Sequence, residues 1–152
     1  MNPIQTPITG NETPSQDNAK LQALIQFYKA FNSRDFNLMQ ENWLNDETIA
    51  MDNPLGGIKR GWEEIKSIYS RIFSGKATVY VEFYDYAIVD FEGGFCAIGR
   101  ERGFVKIADS QLDLAIRTSR VYKKIGDSYK QVHHHGSIES PDLLRSYQEL
   151  VS

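Results

Sequence analysis

The fold is decided by RTSRVYKKIGDSYKQVHHHGSI, residues 117–138. Two extended runs rich in β-branched and aromatic residues flank Gly126-Asp127, a pair that signals a two-residue hairpin turn. Such a turn sets Ile125 opposite Ser128. Counting back puts Tyr122 opposite Gln131, Arg120 opposite His133 and Thr118 opposite His135, and residues directly opposite share a face. One face then carries Thr118, Arg120, Tyr122, Tyr129, Gln131, His133, His135 and Ser137. The other carries Arg117, Ser119, Val121, Val132, His134 and Gly136. A one-residue slip would exchange the two sets.

The same period of two extends upstream. Strands are predicted over 77–90, 94–107, 112–125 and 128–138, joined at Glu92-Gly93-Gly94, Ala108-Asp109-Ser110 and Gly126-Asp127. Connections this short imply an antiparallel meander. Before residue 77 the period is that of a helix. Helices are predicted over 18–32, capped from Asp17, over 36–44, capped from Asp35, and from Gly61 to a stop at Gly75. A short strand, Thr48–Asp52, lies between the last two and ends at Asn53-Pro54. Ser140-Pro141-Asp142 starts a closing helix. The result is an α+β domain: three N-terminal helices packed on a strongly curved antiparallel sheet, plus a C-terminal helix. Residues 1–16 hold three of the five prolines and are expected to form a mobile, disordered arm, leaving 17–152 as the domain.

The chain has 152 residues, the size of one domain, with 41% hydrophobic and 24% charged residues. Its net charge of −3 argues against a nucleic-acid partner. The N-terminus has neither the basic nor the apolar region of a signal peptide, and no apolar run approaches a membrane span. A cytoplasmic location without membrane contact is the expectation. The single cysteine, Cys96, sits among Phe95, Ala97 and Ile98 and reads as a small core residue.

A strand serving only a core would be mostly apolar, whereas the first face gathers a guanidinium, two imidazoles and two phenols. Arg120 beside His133 suits an anionic group, because the guanidinium fork binds carboxylates bidentately. His133, His134 and His135 admit three readings: a structural polar network, a ligand anchor with Arg120, or a metal site on His133 and His135. The adjacent Arg120 disfavours a cation there, so no metal is expected. Arg100 shares a face with Cys96, Ile98 and Arg102, and could approach Arg120 given an acidic partner such as Glu82 or Glu101. Asp52 reads as an Asx turn with Asn53-Pro54, or as a base at the rim of an aromatic cavity. Tyr28, Trp43, Trp62 and Tyr69 would supply an apolar wall, with Tyr122 on the sheet side. Phosphate-loop and cofactor motifs are absent, so no cofactor is expected.

Four stretches carry a family likeness: Gly61-Trp62-Glu63-Glu64-Ile65, Arg117 to Tyr122, Tyr129 to Ile138, and Pro141 to Gln148. From Asp17 to Val151 the chain resembles nuclear transport factor 2-like proteins of the SnoaL-like, ketosteroid-isomerase-like branch. That resemblance implies a cone-shaped fold, usually dimeric, with a pocket between the helices and the concave sheet face. Its members include isomerases, cyclases, dehydratases, hydrolases and non-enzymatic modules. The pattern Arg-Val-aromatic followed by Val-His-x-His is also similar to the association domain of calcium/calmodulin-dependent kinase II. There the matching arginine faces a pocket for small carboxylates, and the fold assembles into rings. By that similarity Arg120, His133 and Arg100 become ligand-binding candidates. The chain departs from the pattern at Tyr129, where tryptophan is common, and at Gly136, where a further arginine would stand. The enzymes of the family imply an aspartate base, for which Asp52 is the candidate by position, with Tyr28 or Tyr80 a donor by chemistry. Together the candidate set is Asp52 and His133 for catalysis, and Arg120, His133, His135, Arg100, Tyr28, Trp43 and Tyr122 for a ligand. The function expected is binding of a small carboxylate or carbonyl compound, with or without acid–base turnover. A non-catalytic assembly module is the alternative.

Overall fold

Two side-chain caps set the helical layer. In the computed structural model, which describes residues 2–152, Asn18 Oδ1 accepts from the Leu21 amide at 3.1 Å and starts the first helix, α1 (Ala19–Ser33). Asp35 Oδ1 accepts from the Leu38 amide at 3.0 Å and starts α2 (Phe36–Asn42). Between them Arg34 adopts the left-handed conformation, φ 56°, and turns the chain. Two short strands follow, β1 (Ala50–Asp52) and β2 (Ile58–Arg60), then α3 (Gly61–Ser74). Four long strands come next: β3 (Thr78–Phe91), β4 (Gly94–Ile107), β5 (Ser110–Ile125) and β6 (Ser128–Ile138). The last element, α4 (Pro141–Val151), has Ser140 as its cap and proline at its first turn.

The six strands form one open mixed sheet in the order β2-β1-β6-β5-β4-β3. The meander β3 to β6 is antiparallel, as its short turns require. The β1–β6 pairing is parallel, Ala50 against His133 and Asp52 against His135. The sequence reading lacked β2 and this parallel contact, because three-residue strands carry too few alternations to show a period. Helices α1 and α3 cover the concave face. Leu24, Phe27 and Tyr28 from α1 meet Ile65 and Tyr69 from α3 and Phe83 and Phe95 from the sheet. Each such side chain contributes roughly 1.5–3 kcal/mol on burial.

The proline-rich segment expected to be a mobile arm lies along β3 in the structure. Ile4 and Ile8 make bridges with Tyr86 and Phe83, and Ile8 is only 2% exposed. β3 is the edge strand of the sheet, so the outward backbone groups of Phe83 and Tyr86 are available to exchange hydrogen bonds with Ile8 and Ile4. Cys96 is half-buried on the convex face opposite Val121, not in the core, because it falls on the outward phase of β4. Among the described residues no helix is long and apolar enough to cross a membrane.

Candidate functional site

The hairpin that decides the fold contains a bulge. Ile125 pairs with Ser128 and Tyr122 with Gln131, as the turn dictates. Beyond that point the register moves by one: Val121 pairs with His133, Arg120 with His134 and Ser119 with His135. Val132 is the extra residue. It lies where the neighbour of β6 changes, from a single bridge at Trp43–Gln131 to the ladder with β1. The consequence corrects the sequence reading: His134 and Gly136, not His133 and His135, share the concave face with Arg120 and Tyr122.

A buried polar cluster surrounds Arg120. Its Nη2 donates to Glu101 Oε2 at 3.1 Å, its Nη1 to Gln131 Oε1 at 2.9 Å, and its Nε to the Tyr28 hydroxyl at 3.2 Å. Its Cζ lies 3.5 Å above the centre of the Phe27 ring. Glu101 also accepts from Tyr28 at 2.7 Å and from the Thr118 hydroxyl at 2.8 Å. Both side chains of the ion pair are almost fully buried, at 3% and 5% exposure. Gln131 and Tyr122 both donate to Asn42 Oδ1 at 3.0 Å, and Asn42 donates to the Ala23 carbonyl and Gln26. Burial alone would depress the basicity of Arg120. The Tyr28 oxygen and the Glu101 carboxylate outweigh it and hold the guanidinium charged. Burial pushes the Tyr28 phenol well up and the Tyr69 phenol to about 12, so both stay protonated.

This cluster closes the inner end of a cavity of about 550 Å³ between α1, α3 and the sheet. Phe27, Ile68, Ile72, Val81, Leu114 and Ile116 make its apolar wall, and Glu101, Arg120 and His134 also line it. Tyr147 and Leu150 of α4 close one side. The His134 Nδ1 lies 3.3 Å from the Ser119 carbonyl, an acceptor only, so Nδ1 carries the hydrogen and Nε2 keeps its lone pair. Burial first, and then the charge of Arg120, hold His134 well below the usual imidazole range and therefore neutral. Among the described residues Nε2 has no hydrogen-bond partner. Gly136 leaves it room, since a Cβ there would stand 3.2 Å from Nε2 and 2.8 Å from the Pro54 ring. The inner end thus presents a base, the spare Nη donors of Arg120 and no net charge, because Glu101 matches Arg120.

The structure separates several residues that the sequence grouped. His133 Nδ1 bonds the Ala50 carbonyl at 2.8 Å, and His135 Nδ1 bonds Asp52 at 2.7 Å, both away from the cavity. Arg100 lies on the convex face, opposite Arg117 and paired with Asp85 and Glu139. Tyr80 points outward to Glu82. Tyr28 and Tyr122 do join the Arg120 cluster. Trp43 is buried against Tyr69, its Nε1 without a partner among the described residues. Asn42 escaped the sequence reading, His134 entered it within the histidine run but on the face away from Arg120, and Glu101 entered it only as a possible ion-pair partner. A signal for Glu101 exists: it is the single acid in the alternating row Phe95, Ala97, Gly99, Glu101, Gly103, Val105.

Solved structures with this architecture are numerous. A protein from Streptomyces avermitilis, named as a candidate dehydratase of the NTF2-like family, superposes with a TM-score of 0.73 at 17% identity, over 84% of this chain and 99% of its own. An NTF2-like superfamily protein from Salmonella enterica gives 0.69 at 18% identity, over 78% and 87%. The S. rosetta CaMKII hub gives 0.68 at 17% identity, over 84% and 99%. At such identities the likeness shows the fold alone. A search of curated proteins returns no match. Residues 21–141 match the family model described as SnoaL-like domain, and the chain therefore belongs to the SnoaL-like family.

Proposed function

We propose that the concave pocket binds a small, largely apolar molecule bearing a carbonyl or hydroxyl group, and that His134 and Arg120 handle that group. The observation that carries this reading is the neutral His134, which lies opposite a charge-compensated Arg120, lines the same apolar cavity and has no hydrogen-bond partner at Nε2 among the described residues. Nε2 can accept a hydroxyl hydrogen or take a proton. Spare guanidinium donors can hold a carbonyl oxygen and stabilise negative charge developing on it. That pairing suits cofactor-independent proton transfer, as in isomerisation, cyclisation or dehydration. It replaces the Asp52–His133 pair as the candidate chemistry. A free carboxylate suits the inner end less well, because it would compete with Glu101 for Arg120.

The test is a thermal-shift screen of cyclic ketones and hydroxyketones beside hydrocarbons of equal size, on wild type and His134→Phe. A ligand present at 100 times its Kd stabilises by about 2.7 kcal/mol. The oxygenated compounds should shift wild type and lose most of the shift in the variant. Equal shifts from the hydrocarbons, or in both proteins, would remove His134 from the site.

A second reading rests on the convex face. Val89, Phe91 and Ile98 are 44–49% exposed on adjacent strands, next to Cys96 and Val121. A second copy covering them would make a homodimer, compatible with a ligand in each cavity. Sedimentation of Ile98→Asp should show a lighter species than wild type, and equal masses would count against this interface.

A further inference from the structure

We infer that the ligand is an amphiphile whose anionic group, carboxylate or phosphate, is held at the cavity mouth by Arg71 and Lys76 while its apolar body and hydroxyl or carbonyl lie within. This rests on the pocket reading above and adds the ligand's charge and where that charge sits.

The cavity is electrically asymmetric along its length. At its inner end Glu101 cancels Arg120 and His134 is neutral. At its outer end the lining includes Arg71, from the last turn of α3, and Lys76, from the loop that follows, both exposed. Among the lining residues Glu101 is the one acid. Neither Arg71 nor Lys76 makes an ion pair among the described residues. Part of the Arg71 charge offsets the carbonyl end of α3, but Lys76 lies past that end.

The rim is also held in place. Arg34, the left-handed residue that ends α1, reaches across to the loop after α3. Its guanidinium donates to the carbonyls of Phe73, Gly75 and Ala77, on both sides of Lys76. Gly75 packs so closely that a Cβ would stand 2.9 Å from the Arg71 carbonyl. Lys76 is therefore carried by a braced segment, and Arg34 adds a third positive charge behind it. A charged headgroup at this solvent-facing rim keeps most of its hydration, whereas one beside Glu101 would lose it. The arrangement takes an anion outside and an apolar chain inside.

Binding of 10-hydroxydecanoate, its methyl ester and 10-hydroxydecyl phosphate by calorimetry tests this on wild type and the double variant Arg71→Glu, Lys76→Glu. The acid should bind wild type at least about tenfold tighter than the ester in low salt, with the gap shrinking in high salt as screening grows. The double variant should lose that preference and keep its affinity for the ester. The phosphate exceeding the acid would assign the mouth to phosphate, and the reverse order to carboxylate. Equal affinity of acid and ester for wild type would overturn the inference and leave the pocket reading intact. No binding of any of the three would overturn both. A double variant that also loses the ester while keeping its melting temperature would show that the two cations shape the cavity instead of selecting charge.

Discussion

Arg120 and His134 stand directly opposite each other on the concave face because Val132 is one residue too many in β6. The pair sets a charged guanidinium against an imidazole held neutral. Each defines the other: the arginine's charge helps keep a proton off the histidine, and the neutral ring leaves the arginine free to satisfy Glu101 and Gln131.

A pH dependence follows, and its sign is fixed. In the unfolded chain His134 titrates near 6.5, while in the folded chain its pKa is well below that. Above the unfolded value both states are neutral there and the histidine adds no slope. As pH falls below it, the unfolded chain takes the proton first, and stability drops by up to about 1.4 kcal/mol per pH unit until the folded pKa is reached. Urea unfolding at pH 7.5 and 5.5 should show this loss in wild type. His134→Gln should show a shallower one, and identical slopes would mean that His134 is exposed enough to protonate in the folded state.

The Glu101–Arg120 pair makes a sharper demand. Removing one member leaves a buried charge unmatched, so Glu101→Ala should cost about 3–5 kcal/mol. Replacing both, Glu101→Leu with Arg120→Met, removes the charge together with its desolvation penalty. The double variant should recover much of that loss, as measured by chemical denaturation. A double variant as unstable as Glu101→Ala would place the cost in the hydrogen bonds of Tyr28, Thr118 and Gln131. By the same argument Arg120→Ala reports on stability before it reports on ligand binding.

These two cases mark how far the sequence was legible. Helices and meander strands follow from periods of 3.6 and 2, and turn chemistry placed the β5–β6 hairpin. The bulge was hidden for a physical reason. Phase along a strand is read from apolar–polar alternation, and His133-His134-His135 has none, so a one-residue slip at Val132 leaves no trace. The face assigned to the histidines inverted as a result. Asn42 was hidden differently, since its four hydrogen bonds join α1, α2, β5 and β6 and no local pattern records such a meeting.

The N-terminal segment gives a third expectation. Ile8 is buried, and its backbone exchanges hydrogen bonds with Phe83 at 2.8 and 2.9 Å, while Gly10, at φ 101°, packs on the backbone of Lys29 with no space for a Cβ. Gly10→Ala should therefore detach the segment without unfolding the domain. Hydrogen exchange would then show faster exchange at the Phe83 and Tyr86 amides, with β5 and β6 amides unchanged. Unchanged exchange at Phe83 would mean that the segment is held by Ile8 alone.

Filling the cavity separates its volume from its polar end. Ile116 lies opposite Glu101, buried and facing the cavity, so Ile116→Trp projects an indole across the approach to His134. In a close-packed core such a swap costs about 1–3 kcal/mol through strain. Here the added atoms enter space that is already empty, so the loss should fall at or below the lower end of that range. The polar cluster stays intact, because none of its bonds involves residue 116. Oxygenated ligands that shift wild type should lose at least about tenfold in affinity, or about 1.4 kcal/mol, with the melting temperature of the free protein nearly unchanged. Retained affinity with an unchanged melting temperature would place the ligand elsewhere on the molecule. A large loss of stability would show that the wall around Ile116 is packed and that the usable cavity is confined to the mouth.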